Sequence, residues 1–276
     1  MEIRLAESYG FCFGVKRAIE IAEESKNAVT YGPLIHNKEE INRLKDKFFV
    51  RTANSMDEIG DEKRVIVRTH GIVKEDLRKL KSSGKEIIDA TCPFVTKPQN
   101  IVEQMSNDGY KIVIFGDKNH PEVKGVKSYA KNGAIITLDT KDLEDIAFGS
   151  KVAVVSQTTR KVEEFKKIVS FLLERVSEVR VFNTICNATF ENQDAAREIS
   201  KSSDVVIVIG GKNSSNTKQL LSISEDYCKD SYLVENANEL QNSWFEGKKS
   251  CGITAGASTP DWIIQKVISK IREITI

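Results

Sequence analysis

At 276 residues, 40% hydrophobic and 29% charged, the sequence is that of a globular protein long enough for about two domains. Its 41 basic and 40 acidic residues leave a net charge of +1, which gives neither nucleic acid nor an anionic membrane an electrostatic footprint to bind. No apolar run approaches the roughly 20 residues of a membrane span, and Glu2, Arg4 and Glu7 argue against a signal peptide, so a cytoplasmic protein with reduced cysteines is expected.

Taken in chain order, one pattern recurs three times. The first copy opens with an apolar strand running into Cys12 (IRLAESYGFC). A helix follows, with Val15, Ala18, Ile19 and Ala22 on one face. A β-branched strand ending in glycine (AVTYG) then enters the polar loop GPLIHN. After a second helix come a third strand (KFFVRT), an acidic connector, a fourth strand with a polar tip (VIVRTHG) and a closing helix. The second copy repeats this as EIIDATC, KIVIFG, the loop GDKNHPE, AIITLD and VAVVSQTT. The third does so as VRVFNTIC, VVIVIG, the loop GGKNSSNT, SYLVEN and CGITAGAS. Boundaries at 12–91, 92–185 and 186–276 follow, with the N-terminal strand 1–11 expected to pack with the third copy.

Strands alternating with helices imply parallel sheets covered on both faces. The expected fold is α/β: three pseudo-symmetric repeats, each a small parallel sheet flanked by helices, in a trefoil around a central cavity. Parallel sheets bind ligands beyond the carboxyl ends of their strands, where each copy places its cysteine, its post-glycine loop and its fourth-strand tip.

Cys12, Cys92 and Cys186 stand at equivalent strand-to-helix turns, where helix amides favour a thiolate. Cys228, read on a helix, and Cys251, at the start of a fourth strand, have no counterparts. Three thiolates suit zinc or an iron–sulfur cluster, and a three-cysteine set leaves one metal position open for chemistry. All three histidines, His36, His70 and His120, fall in the same loops. Ser214, Ser215, Asn216 and Ser258 supply short polar donors suited to phosphate oxygens. Glu122, beside His120, is the carboxyl placed to deliver protons, and Thr158 offers a neutral hydroxyl.

These segments, GFCFGV, GPLIHN, RTHG, DATCP, HPEVKG, SQTT, TICNAT, KNSSNT and TAGASTPD, resemble the hydroxymethylbutenyl diphosphate reductase family of the methylerythritol phosphate route to isoprenoids, over about Tyr9 to Trp262. The resemblance implies a reductive dehydroxylation of (E)-4-hydroxy-3-methylbut-2-enyl diphosphate to isopentenyl and dimethylallyl diphosphates. Cys12, Cys92 and Cys186 would hold a 4Fe-4S cluster whose remaining iron takes the substrate hydroxyl. His36, His70, Ser214, Ser215, Asn216 and Ser258 would bind the diphosphate, with His120 lining the pocket, Glu122 supplying protons and Thr158 positioning the hydroxyl. An electron donor such as ferredoxin or flavodoxin is implied, and a stand-alone enzyme without fused RNA-binding domains is expected. The segment NATFEN, 187–192, departs from the family pattern and leaves Thr189 without an assigned role. The competing readings are a non-catalytic iron–sulfur redox sensor binding a phosphorylated effector and a zinc-dependent phosphoester enzyme.

Overall fold

The computed structural model describes residues 1–275. The first stretch of chain runs β1 (Glu2–Leu5), α1 (Phe13–Glu24), β2 (Val29–Tyr31), α2 (Lys38–Phe48), β3 (Arg51–Ala53), β4 (Arg64–Val67), α3 (Lys74–Ser82) and β5 (Glu86–Asp89). Next come α4 (Pro93–Asn107), β6 (Lys111–Phe115), α5 (Pro121–Lys127), β7 (Ala134–Thr137), β8 (Lys151–Ser156), α6 (Val162–Leu173) and β9 (Glu178–Phe182). The remainder is α7 (Asn187–Lys201), β10 (Val205–Ile209), α8 (Ser215–Tyr227), β11 (Ser231–Val234), β12 (Ser250–Ala255) and α9 (Asp261–Ile274).

The chain divides into two compact units. One takes Met1–Lys16, Ile35–Lys47 and the chain from Asn187 on; the other takes Arg17–Leu34 and Phe48–Cys186. The first unit holds one four-stranded sheet, in the order β1-β12-β10-β11, all parallel. Its central strand explains the unbroken VVIVI of the sequence. Val205, Ile207 and Ile209 pack with Ile263, Ile264, Val267 and Ile271 of α9, whereas Val206 and Val208 pack with Ala196 and Leu220 of α7 and α8. A strand covered on both faces has no solvent side to alternate with.

The second unit holds two parallel sheets of the same order, β3-β2-β4-β5 and β7-β6-β8-β9. In the latter, Ile112, Ile114, Ala153 and Val155 meet Val102 and Met105 of α4 and Val123 and Val126 of α5. Phe115 stacks on Phe165 of α6 on the opposite face.

In every sheet the strand leading to a cysteine lies at the edge, against the fourth strand of the pattern. The ladder continues past the strand ends in the same way each time. Cys12 N–H donates to Ala257 O at 3.2 Å, Cys92 N–H to Thr69 O at 3.0 Å and Cys186 N–H to Thr158 O at 3.0 Å. This register makes Thr69, Thr158 and Ala257 equivalent, and likewise His70, Thr159 and Ser258.

Two elements differ from the sequence expectation. The strand expected over KFFVRT begins only at Arg51, because α2 runs through Phe48 and Phe49 turns the chain in the left-handed region with φ 57°. Phe49 takes the place that glycine usually holds after a helix, and the residue is 66% exposed. Cys228 is not within a helix but one residue beyond α8, as its C-cap.

Candidate active site

The unit containing β2 to β9 carries Cys92, Cys186, His70, His120, Glu122 and Thr158. After β6, Gly116 lies so close to Val123 and Gln157 that a Cβ there would come within 2.8 Å of the valine side chain. The chain then bends through Asp117 to His120, which is the N-cap of α5. Its Nδ1 accepts the backbone N–H of Glu122 at 3.2 Å, a cap usually made by a short oxygen-bearing side chain. The His120 ring stands edge-on to that of His70, with centroids 5.4 Å apart.

Glu122 is 1% exposed. Its Oε1 accepts the N–H of Thr158 and its Oε2 accepts the Thr158 hydroxyl, both at 2.7 Å. Burial pushes the Glu122 carboxyl above the usual range, while the two bonds from Thr158 and, more weakly, the nearby Arg160 guanidinium pull it down. Because the Thr158 carbonyl receives the Cys186 amide, a single residue joins this carboxyl to a candidate metal ligand.

His70 sits on the turn after β4. Thr69 donates its hydroxyl to Leu34 O at 2.7 Å, Arg68 Nε donates to Gly71 O at 3.1 Å, and Gly71 N–H closes the turn onto Arg68 O. The Arg68 side chain lies against Gly32, where a Cβ would come within 2.4 Å of the guanidinium. Cys92 is the N-cap of α4, and Cys186 immediately precedes α7.

The other unit carries Cys12, His36, Ser214, Ser215, Asn216 and Ser258. Burial pushes the Cys12 thiol up, and the backbone amides of Val15 and Gly14 at the start of α1 oppose it. Ser214 caps α8 by accepting Thr217 N–H at 3.3 Å, and Ser258 donates to His36 O at 3.3 Å. Gly211 passes so near that a Cβ would stand 2.3 Å from the same carbonyl. Asn216 is 4% exposed, yet neither its amide nitrogen nor its oxygen has a partner among the described residues. Buried polar atoms are normally satisfied, and each orphan costs about 1–3 kcal/mol, which marks this amide as a candidate for binding a group outside the chain.

Asn216 and Glu122 occupy the same position, the second residue of the helix that follows a glycine-ended strand. Glu122 is gripped by Thr158; the residue equivalent to Thr158 in the other unit is Ala257, which has no hydroxyl to give. Capping also separates the histidines. His120 is equivalent to the caps Asn37 and Ser214, whereas His36 precedes its cap by one residue.

The remaining cysteines are packing residues. Cys228 joins the cluster around Val206 and Leu220, and Cys251 the one around Ile253 and Ile264, with burial pushing its thiol up to about 12. Cys12, Cys92 and Cys186, by contrast, each stand at a strand-to-helix turn of their own unit.

Three supporting features had little sequence signal. Gly211 reads as an ordinary turn glycine, and Thr69 as part of a strand tip. Glu40 lies on a helix so charged that it reads as a solvated face, yet it is 1% exposed, forked by Arg43 and bonded by Trp262 Nε1–H at 3.0 Å.

The profile of the LytB protein family matches residues 3–272. A protein from a Nitratiruptor species is 66% identical over the full length of both chains, and a Campylobacter hominis protein 64% identical over 98% of each; both are named 4-hydroxy-3-methylbut-2-enyl diphosphate reductase. Two solved structures resemble the chain. That of (E)-4-hydroxy-3-methyl-but-2-enyl diphosphate reductase, described as the terminal enzyme of the non-mevalonate pathway, is 43% identical with a TM-score of 0.72, covering 99% of this chain and 100% of that one. That of the E-1-hydroxy-2-methyl-but-2-enyl-4-diphosphate reductase from Plasmodium falciparum is 28% identical with a TM-score of 0.91, covering 97% and 87%.

Proposed function

Because the chain belongs to the LytB protein family, we propose that it reduces 4-hydroxy-3-methylbut-2-enyl diphosphate to isopentenyl and dimethylallyl diphosphates. The LytB family is generally one of iron–sulfur enzymes. In our reading Cys12, Cys92 and Cys186 hold a 4Fe-4S cluster, which when bound supplies electrons and Lewis acidity to the allylic C–O bond. The electrons come from a reduced carrier of the ferredoxin or flavodoxin class.

The observation that carries the reading is the Glu122–Thr158 pair. Replacing a hydroxyl by hydrogen consumes two electrons and two protons and expels water, so a proton must meet the departing oxygen. A carboxyl whose pKa burial raises stores that proton on Oε2, and in that form the Thr158 contact reverses, Oε2–H donating to Oγ1. Thr158 Oγ1 accepts it while passing its own hydroxyl proton outward. His36, His70, Ser214, Ser215, Asn216 and Ser258 bind the diphosphate, and the unsatisfied amide of Asn216 supports that role. His120 lines the pocket through Nε2 because its Nδ1 is committed to the helix cap.

The test is anaerobic purification with iron and sulfide analysis, followed by turnover of the diphosphate alcohol with a chemically reduced dye. Stoichiometric cluster and both isomeric products are expected. Bound cluster without turnover would favour a redox sensor, and zinc without sulfide a hydrolytic enzyme.

A further inference from the structure

Each histidine of the second unit has its Nδ1 set against a group whose own hydrogen-bonding role is fixed. A backbone N–H can only donate, so the bond from Glu122 N–H to His120 Nδ1 leaves that nitrogen unprotonated and puts the ring proton on Nε2. At His70 the logic runs the other way. Thr69 has one hydroxyl proton, and a carbonyl can only accept, so the 2.7 Å bond to Leu34 O uses it. What the Thr69 oxygen presents to His70 Nδ1, 3.4 Å away, is a lone pair. A proton on Nδ1 satisfies that contact, and Nε2 of the neutral ring is then an acceptor.

We propose that Thr69 is a positioning residue that holds His70 in the Nδ1–H tautomer, opposite to the Nε2–H tautomer that the α5 backbone imposes on His120. The pair, with ring centroids 5.4 Å apart, then presents one donor and one acceptor rather than two donors. The ligand class rests on the reductase reading: a diphosphate bonded by both rings must bring one proton, carried either on a phosphate oxygen or on His70 Nε2. His120, for its part, cannot become an imidazolium without surrendering its cap, so it serves as a neutral hydrogen-bond donor and not as the acid.

The proposal is tested on the anaerobic holoenzyme with ¹⁵N-labelled histidine, the three histidines being assigned by single substitution. His120 should show a pyridine-like Nδ1 and a pyrrole-like Nε2, and His70 the reverse. Thr69→Val, nearly isosteric but without the oxygen, should abolish the His70 pattern, and Thr69→Ser should restore it. Calorimetry with inorganic diphosphate in two buffers of different ionisation enthalpy should show Thr69→Val taking up about one proton fewer per bound ligand than wild type or Thr69→Ser. A wild-type His70 with its proton on Nε2, or a Thr69→Val spectrum identical to wild type, overturns the proposal. Failure of the wild type to bind diphosphate would count against the reductase reading, while the spectra would still decide the tautomers.

Discussion

Thr158 grips both oxygens of Glu122, its N–H on Oε1 and its hydroxyl on Oε2, each at 2.7 Å. These two bonds favour the carboxylate, but burial outweighs them and raises the carboxyl above its ordinary range, so the acid should act over the pH range in which it keeps its proton. Glu122→Gln preserves the shape and removes the proton. Turnover should fall by about a hundredfold or more, equivalent to about 3 kcal/mol of barrier, with cluster content unchanged. The sign of the stability effect is also fixed. Folding raises the carboxyl pKa, so the native state holds the proton more tightly than the unfolded one, and wild type loses stability as pH rises from the ordinary glutamate range through the folded pKa. Chemical denaturation across that range should show Glu122→Gln gaining on wild type with pH. A constant difference would mean that folding leaves the carboxyl pKa where it is in the unfolded chain.

The cysteines divide by position in the fold. Serine at Cys12, Cys92 or Cys186 should strip or cripple the cluster, read as iron, sulfide and visible absorbance. Serine at Cys251, fully buried beside Ile253, should keep the cluster at a packing cost of about 1–3 kcal/mol in unfolding free energy. Cluster loss confined to Cys251→Ser would reverse the assignment.

Asn216 separates stability from binding. Its two amide atoms lack partners among the described residues, so Asn216→Ala should leave thermal stability unchanged or raise it. Affinity for the substrate should nevertheless fall about ten- to a hundredfold, measured anaerobically by competition. A variant that melts earlier and binds normally would show that the amide is structural.

Gly211 is required for space, since a Cβ would lie 2.3 Å from the His36 carbonyl and the neighbour is backbone, which cannot swing aside. Gly211→Ala should cost about 1–3 kcal/mol of stability and weaken diphosphate binding by displacing the His36 loop. Gly133→Ala, where the new Cβ meets nothing within 4 Å but φ is 75°, is the control for backbone strain without crowding.

The strands are legible because parallel strands covered on both faces must be nearly continuous runs of Val and Ile, as in VVIVI and KIVIF, and because each run stops at glycine. The three cysteine turns are legible from the same recurrence. KFFVRT misleads because Phe49 carries the chain into a left-handed turn, a conformation its composition does not announce. The proton placements at His70 and His120 depend on which neighbouring atoms have hydrogens to give, and such pairings exist only in three dimensions. Glu40 illustrates the same limit. Its helix, KEEINRLKDKF, has the composition of a solvated face, and only the fold brings Trp262 to it from 222 residues away.

The shared station of Glu122 and Asn216 suggests how a triplicated module acquires distinct duties without changing its backbone. In one copy a hydroxyl at the neighbouring strand tip answers the side chain internally, and in another that hydroxyl is missing and the side chain stays unsatisfied. Specialisation of this kind proceeds by subtraction: with alanine at 257, the equivalent of the Thr158 hydroxyl is withheld and the Asn216 amide is left unanswered. If Asn216 binds the diphosphate as proposed, supplying that partner with Ala257→Thr should let the protein satisfy the amide at the expense of the ligand.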